Sequence, residues 1–142
     1  MTSFELVCVR DGNIQHFQGN HDDSSSEIRF ILEDEGHNQQ TDGYIIDFII
    51  QHIDNEAIQI THMCIDIERY LGIGIPEALI LKAKELFGKQ IISSTNSRKD
   101  GEVNSNESIS KKAIKVWKRL VCRKLAYYDS ETDRYKTFPP QK

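Results

Sequence analysis

The residues best suited to chemistry lie between His62 and Gly74. Arg69-Tyr70-Leu71-Gly72-Ile73-Gly74 follows a β-rich run, Ala57 to Ile67, and leads into a helical pattern from Pro76 to about Phe87. Two glycines one residue apart permit a tight turn and bring backbone N–H groups close to a ligand. Pro76 suits the first turn of a helix, where its missing N–H has no partner to lose. The free amides and positive dipole end of a helix start attract a phosphate. Arg69 offers a guanidinium to the same anion, or is a solvated arginine. Just upstream, strand alternation sets Ile58, Ile60, His62 and Cys64 on one face and Gln59, Thr61, Met63 and Ile65 on the other. His62 is the best general base, since an unshifted imidazole titrates near about pH 6.5. A hydrogen-bonded histidine inside a sheet is the plainer alternative. Cys64 would need a depressed pKa to act as a nucleophile, and nothing nearby in the sequence supplies one.

Two familiar nucleotide loops do not fit this turn. A Walker-type loop ends in Gly-Lys-Ser/Thr, which is absent. A dinucleotide fingerprint needs a third small residue where Glu77 stands, together with an N-terminal βαβ unit. An ordinary strand-to-helix turn remains open.

The elements that must position these residues are legible from alternation and turn chemistry. Phe4 to Val9 alternates as a strand, Asp11-Gly12-Asn13 is a turn, and Ile14 to Phe17 is its hairpin partner. Gly19 to Ser26 is polar and reads as a loop. His16, His21 and the aspartates around them raise a metal site, but no ligand motif organises them, so none is expected. Glu27 to Glu33 is a strand with Ile28, Phe30 and Leu32 on one face. Asp34 to Gly43 is a loop. Tyr44 to Ile53 is apolar on both faces and therefore central. Asp54-Asn55 closes a hairpin into Ala57 to Ile67.

After the Gly-x-Gly turn, Leu79, Ala83 and Leu86 keep helical spacing and Gly88 is a natural stop. Gln90 to Ser94 is a short strand and Thr95 to Asn106 a polar loop. Asn104 and Glu107 resemble a capping box. Ile109, Ala113, Val116, Trp117 and Leu120 form one face of the next helix, with lysines and Arg119 around the rest. Leu125 to Asp129 and Arg134 to Phe138 make a closing hairpin. The fold class is thus α/β in the α+β sense: a mixed, mostly antiparallel sheet flanked by helices.

Length and composition limit the function. A chain of 142 residues suits one domain, here 1–138 with a tail at 139–142. No apolar run approaches the roughly 18–20 residues of a membrane span, and the N-terminus lacks a signal pattern, so a cytoplasmic protein is expected. Cys8, Cys64 and Cys122 have no metal-type spacing and sit in apolar patterns, which predicts buried, inert thiols. Charge is uneven: residues 111–142 hold ten bases and three acids, residues 1–110 eight bases and nineteen acids. Such a split marks either an anionic ligand at the basic end or two halves that pack against each other.

Taken with their order, these motifs resemble the GNAT superfamily of N-acetyltransferases. Arg69-x-x-Gly72-x-Gly74 matches its Q/R-x-x-G-x-G/A signature, between a central strand and a helix. Ala113-x-x-x-Trp117-x-x-Leu120 is similar to its late helix, and Ala126-Tyr127-Tyr128 with Arg134-Tyr135 to its closing hairpin. The resemblance covers 27–138; residues 1–26 form a shortened N-terminal part, where the family usually has one or two helices.

The resemblance implies that the amides of Arg69, Tyr70, Leu71, Gly72, Ile73 and Gly74 hold the pyrophosphate of acetyl-CoA. Met63, Cys64 and Ile65 would offer backbone groups to the pantetheine arm and thioester. Lys111, Lys112, Arg98 and Lys99 would face the coenzyme's outer phosphate. The amine acceptor would enter where Ala57–Ile67 parts from Gln90–Ser94. Trp117 stands where the family often has a proton-donating tyrosine, and indole cannot do that work. Tyr127 and Tyr128 are the substitutes, unless they are simply packed aromatics. The implied activity is acetyl-CoA-dependent N-acetyltransfer to a primary amine of a small molecule or protein. The alternative is an inactive module that binds CoA or a protein partner. Exposed sheet edges leave room for a homodimer. Nucleic-acid binding through Lys111–Lys124 ranks last, because aromatics are few and the chain is acidic overall.

Overall fold

Alternation builds the N-terminal hairpin. In β1 (Thr2–Arg10) Phe4, Leu6 and Cys8 point into the core while Glu5, Val7 and Val9 face out. Asp11 and Gly12 both take positive φ, the geometry a two-residue hairpin turn requires, and β2 (Asn13–Asp22) returns antiparallel. The computed structural model describes residues 2–22, 26–94 and 111–140.

β2 is longer than its polarity suggested: Gly19 to Asp22 belong to the strand. Gly19 lies under Phe4, where an added Cβ would come within 2.3 Å of the ring. His21 is buried, with its ring 5.5 Å from Phe30 and 5.2 Å from Phe87. It is a core ring and not a loop ligand. Among the described residues no cluster of three or more His, Cys, Asp or Glu is placed to hold a metal ion.

β3 (Glu27–Glu33), β4 (Asp47–His52) and β5 (Ala57–Cys64) continue the antiparallel meander. The expected loop before β4 contains a one-turn helix, α1 (Gln39–Asp42), capped by Asn38. β4 starts later than its apolar run, although Ile45 and Ile46 are already buried. Between β4 and β5, Asp54 Oδ1 accepts from the N–H groups of Glu56 and Ala57 and fixes the turn.

α2 (Ile75–Phe87) starts after Gly74 and ends on Gly88, whose N–H donates to Lys84 O at 2.9 Å. Its buried face is Ile75, Leu79, Ile80 and Ala83, joined by Glu77. β6 (Gln90–Ile92) then pairs parallel with β5, closing a βαβ unit. α3 (Lys111–Cys122) buries Ala113, Val116, Trp117 and Leu120, and β7 (Ala126–Asp129) and β8 (Arg134–Thr137) form the closing hairpin. The sheet order is β1-β2-β3-β4-β5-β6-β8-β7, with only β5 and β6 parallel. Thr95–Asn106, Ile109 and the Asn104–Glu107 pair lie outside the described residues.

α2 touches both β1 and β6, which four strands separate, so the sheet curls around this helix. α3 packs on α2, β5 and β7, with Trp117 stacked 6.1 Å from Tyr135. No described helix is long and apolar enough to cross a membrane.

Of the three thiols only Cys8 is buried; Cys64 and Cys122 are exposed. Cys122 stands two positions past Leu120, off the apolar stripe of α3. Cys64 is turned out by a local irregularity at the site.

Candidate functional site

The site begins where β5 leaves its neighbours. Its parallel ladder with β6 consists of Ala57↔Gln90, Ile58↔Ile91 and Gln59↔Ile92, then stops. Ser94 Oγ donates to Ile60 O at 3.3 Å, one step past the end of the ladder. On the other side the register with β4 shifts: Ile60 faces Ile50 but His62 faces Ile49. Thr61 is the extra residue of a β-bulge, its hydroxyl donating to Ile49 O at 3.2 Å.

The bulge corrects the expected faces. Residues directly opposite in a ladder share a face. Met63, opposite Phe48, therefore returns to the core side with Ile60, and Ile65 is buried. His62 and Cys64, opposite Ile49 and Asp47, turn to the other side. His62 is exposed, its Nδ1 3.2 Å from Thr61 Oγ1.

A short 3-10 turn, Glu68–Tyr70, joins β5 to the glycines. Gly72 has φ 76° and Gly74 φ 88°, a region that disfavours any side chain. A cleft of about 200 Å³ opens here. Met63, Cys64 and Ile65 form one wall and Leu71, Gly72 and Gly74 another, with Lys112, Lys115 and Arg119 of α3 across from them. Six of the expected binding residues thus share one cavity with three cations of α3 and with Arg10. Ile73 faces a separate hollow against the β1–β2 turn.

Arg69 and Tyr70 do not line this cleft. The Arg69 guanidinium lies 4.7 Å over the Tyr70 ring and donates to its hydroxyl at 2.6 Å; that hydroxyl donates to Asp34 Oδ2 at 2.8 Å. Burial, then the bond to Asp34, push the phenol's pKa up. The pair braces the turn from behind. The arginine at the turn is Arg10, from the end of β1: its Nη1 lies 3.9 Å from where a Gly72 Cβ would stand. Arg10 escaped the sequence reading because only the packing of β1 on α2 brings it there.

A larger cavity, about 710 Å³, adjoins the cleft and shares Arg10, Gly74, Glu77 and Arg119 with it. Val7 and Val9 of β1 and Ala78 and Leu81 of α2 form its apolar walls. Lys118 and Cys122 of α3, with Arg123 just after it, complete the rim. Glu77 is buried between the two spaces. One carboxylate oxygen, Oε1, accepts from Arg119 Nε. The other, Oε2, is buried without a hydrogen-bond partner among the described residues.

The remaining candidates lie elsewhere. Tyr127 OH accepts from Gln90 Nε2 at 2.9 Å and its ring meets Phe138. Tyr128 OH donates to Asp133 at the hairpin turn. The ladder Tyr127–Lys136–Ile92–Gln59 puts Tyr127 three strand spacings, ~14 Å, from β5. Cys64 Sγ donates to Asp66 Oδ1 at 3.4 Å. Desolvation, then that bond, raise its pKa, which argues against a nucleophilic thiolate.

Fold and cleft define an α+β protein whose single βαβ unit opens at a basic cleft beside the carboxyl end of its central strand. Comparison with protein-family models, curated proteins and solved structures finds no match.

Proposed function

We propose that the cleft binds acetyl-CoA and that the chain transfers the acetyl group to a primary amine of a small molecule or protein. One observation carries the reading: Met63–Ile65, Gly72 and Gly74 wall the same cavity as Lys112, Lys115 and Arg119, past the end of the β5–β6 ladder. Glycine amides and a helix start suit a pyrophosphate, and lysines across the gap neutralise it. Met63 and Ile65 give the adjoining wall an apolar character suited to the pantetheine arm.

Transfer needs little covalent help from the protein. The amine nitrogen attacks the thioester carbonyl, a C–N bond forms, the C–S bond breaks and the thiol leaves. Backbone amides of β5 beside the cleft would supply the donors that an oxyanion needs. His62 is not among the residues that line the cleft and the two tyrosines stand at the far hairpin, so in this reading proton transfer falls to water or to the substrate amine. The test is thiol release from acetyl-CoA with a panel of primary amines. Amine-dependent release supports the reading.

A second reading is an inactive module that binds CoA or a protein partner. It is favoured by Trp117, buried against Tyr135 where a proton donor would stand. Binding of acetyl-CoA with no release for any amine would select it.

A further inference from the structure

A sheet edge normally guards its unpaired backbone by being short or by carrying lysine or proline. The two edges of this sheet are β7 and β1. β7 has four residues, whereas β1 has nine, with neither lysine nor proline. Its Val7 and Val9 are 45% and 57% exposed. The hairpin turn decides which backbone groups of β1 are free. Asp11 and Gly12 form a two-residue loop at positive φ, so the flanking pair Arg10↔Asn13 exchanges both of its hydrogen bonds. Bonded pairs then alternate along the ladder. Cys8, Leu6 and Phe4 are tied to β2, while Ser3, Glu5, Val7 and Val9 turn their N–H and C=O groups to the open side. Val9 O fits this pattern: it lies 3.5 Å from where a Gly74 Cβ would stand, at the start of α2.

The larger cavity is a groove along this edge, with Ala78 and Leu81 of α2 beneath it and Lys118 and Cys122 of α3 across from β1. Arg119 is paired with Glu77. No ion pair among the described residues engages Arg10, Lys118 or Arg123, and Asp11 is the one other acid in the lining. Free backbone groups, an apolar floor and a basic rim together fit an extended segment in which apolar and acidic residues alternate. A second copy suits the groove less. Its own β1 is flanked by the same α2 and α3, and would press one basic rim against another.

We propose that the open edge of β1 docks an acidic, extended segment of a partner protein, which pairs with Ser3–Val9 as an added strand. The inference goes beyond the acetyl-transfer reading and does not rest on it.

The test uses the full chain and a fluorescent peptide of alternating glutamate and valine, as long as Ser3–Val9. Anisotropy reads affinity and amide hydrogen exchange reads position. The peptide should bind saturably and slow exchange at the outward amides of Glu5 and Val7, leaving Leu6 and Cys8 unchanged. Val7→Pro removes an outward N–H and no ladder bond, so the hairpin persists and the affinity should fall about tenfold or more. Lys118→Glu, on an exposed position of α3, should weaken the same peptide by a similar factor, and a lysine–valine peptide should not bind the wild type. No binding at millimolar peptide, equal binding of the lysine version, or unchanged affinity in both variants overturns the proposal. So does protection of the same amides that appears without peptide and grows with protein concentration, which would give the edge to a second copy.

Discussion

Two regions of this molecule bury polar groups and treat them differently: the seam between β6 and β8 and the cleft at the start of α2. The seam has a single ladder pair, Ile92↔Lys136, and side chains complete it. Thr137 Oγ1 accepts from Ile91 N–H at 3.0 Å, and Ser93 Oγ accepts from Tyr135 N–H at 2.9 Å and donates to Ser94 O at 2.7 Å. Gln90 Nε2 donates to both Thr137 O and Tyr127 OH. Each of these side chains closes on another group in the chain. At the cleft, Glu77 Oε2 is buried without a hydrogen-bond partner among the described residues. The seam is satisfied within the chain, and the start of α2 is not.

Breaking the seam should have the larger effect on stability. Thr137→Val strips the partner from a buried N–H and should cost about 1–3 kcal/mol in denaturant unfolding, with acetyl-CoA affinity unchanged. A weakened affinity would mean that the two regions are coupled.

Next in size is a pH effect at Cys8, on the hollow that Ile73 faces. Burial, and secondly the Glu77 charge, push the Cys8 thiol up to about 12 from 9.0. The unfolded chain alone releases this proton between those values, so stability falls as pH rises above 9.0, by up to about 1.4 kcal/mol per unit. Cys8→Ala should remove that slope from unfolding curves taken between pH 8 and about 10. An unchanged slope would assign it to other groups.

The smallest stability change belongs to Glu77→Gln, less than about 1 kcal/mol, because the amide keeps an oxygen for Arg119 Nε. The variant should hardly touch the fold, the reverse of Thr137→Val. A large loss of stability would make Glu77 a structural residue.

Most of the fold was legible because its signals are local. Glu27–Glu33, the Asp54 turn, Gly88 as helix stop and the apolar stripe of α3 each follow from neighbouring residues. The site was only half legible. Gly72 and Gly74 were readable from their type and spacing, and Met63–Ile65 only through the family resemblance. The bulge at Thr61 leaves no mark in composition, yet it reverses the side on which His62 and Cys64 stand. The part played by Arg10 depends on contacts between β1 and α2, which are distant in sequence. Glu77 had a faint signal: it stands three residues before Ile80 and six before Ala83, on a row that α2 buries. The basic C-terminal part was ambiguous from charge alone. Its helix puts Lys112, Lys115 and Arg119 on the cleft and Lys118 on the groove, where Arg123 follows the helix, so one of its sides faces a candidate anion site.

The most direct measurement is calorimetric titration of the wild-type chain and Gly72→Leu with acetyl-CoA, thermal unfolding run alongside. Gly72 has φ 76° and only Arg10 Nη1 near its missing Cβ, so the substitution strains the turn and fills the cleft mouth without striking the core. The account predicts saturable binding to the wild type, and binding at least about tenfold weaker to a Gly72→Leu chain that still unfolds cooperatively. No heat from the wild type at millimolar acetyl-CoA, or equal binding by both, would contradict it and leave the Gly-x-Gly segment as a turn alone.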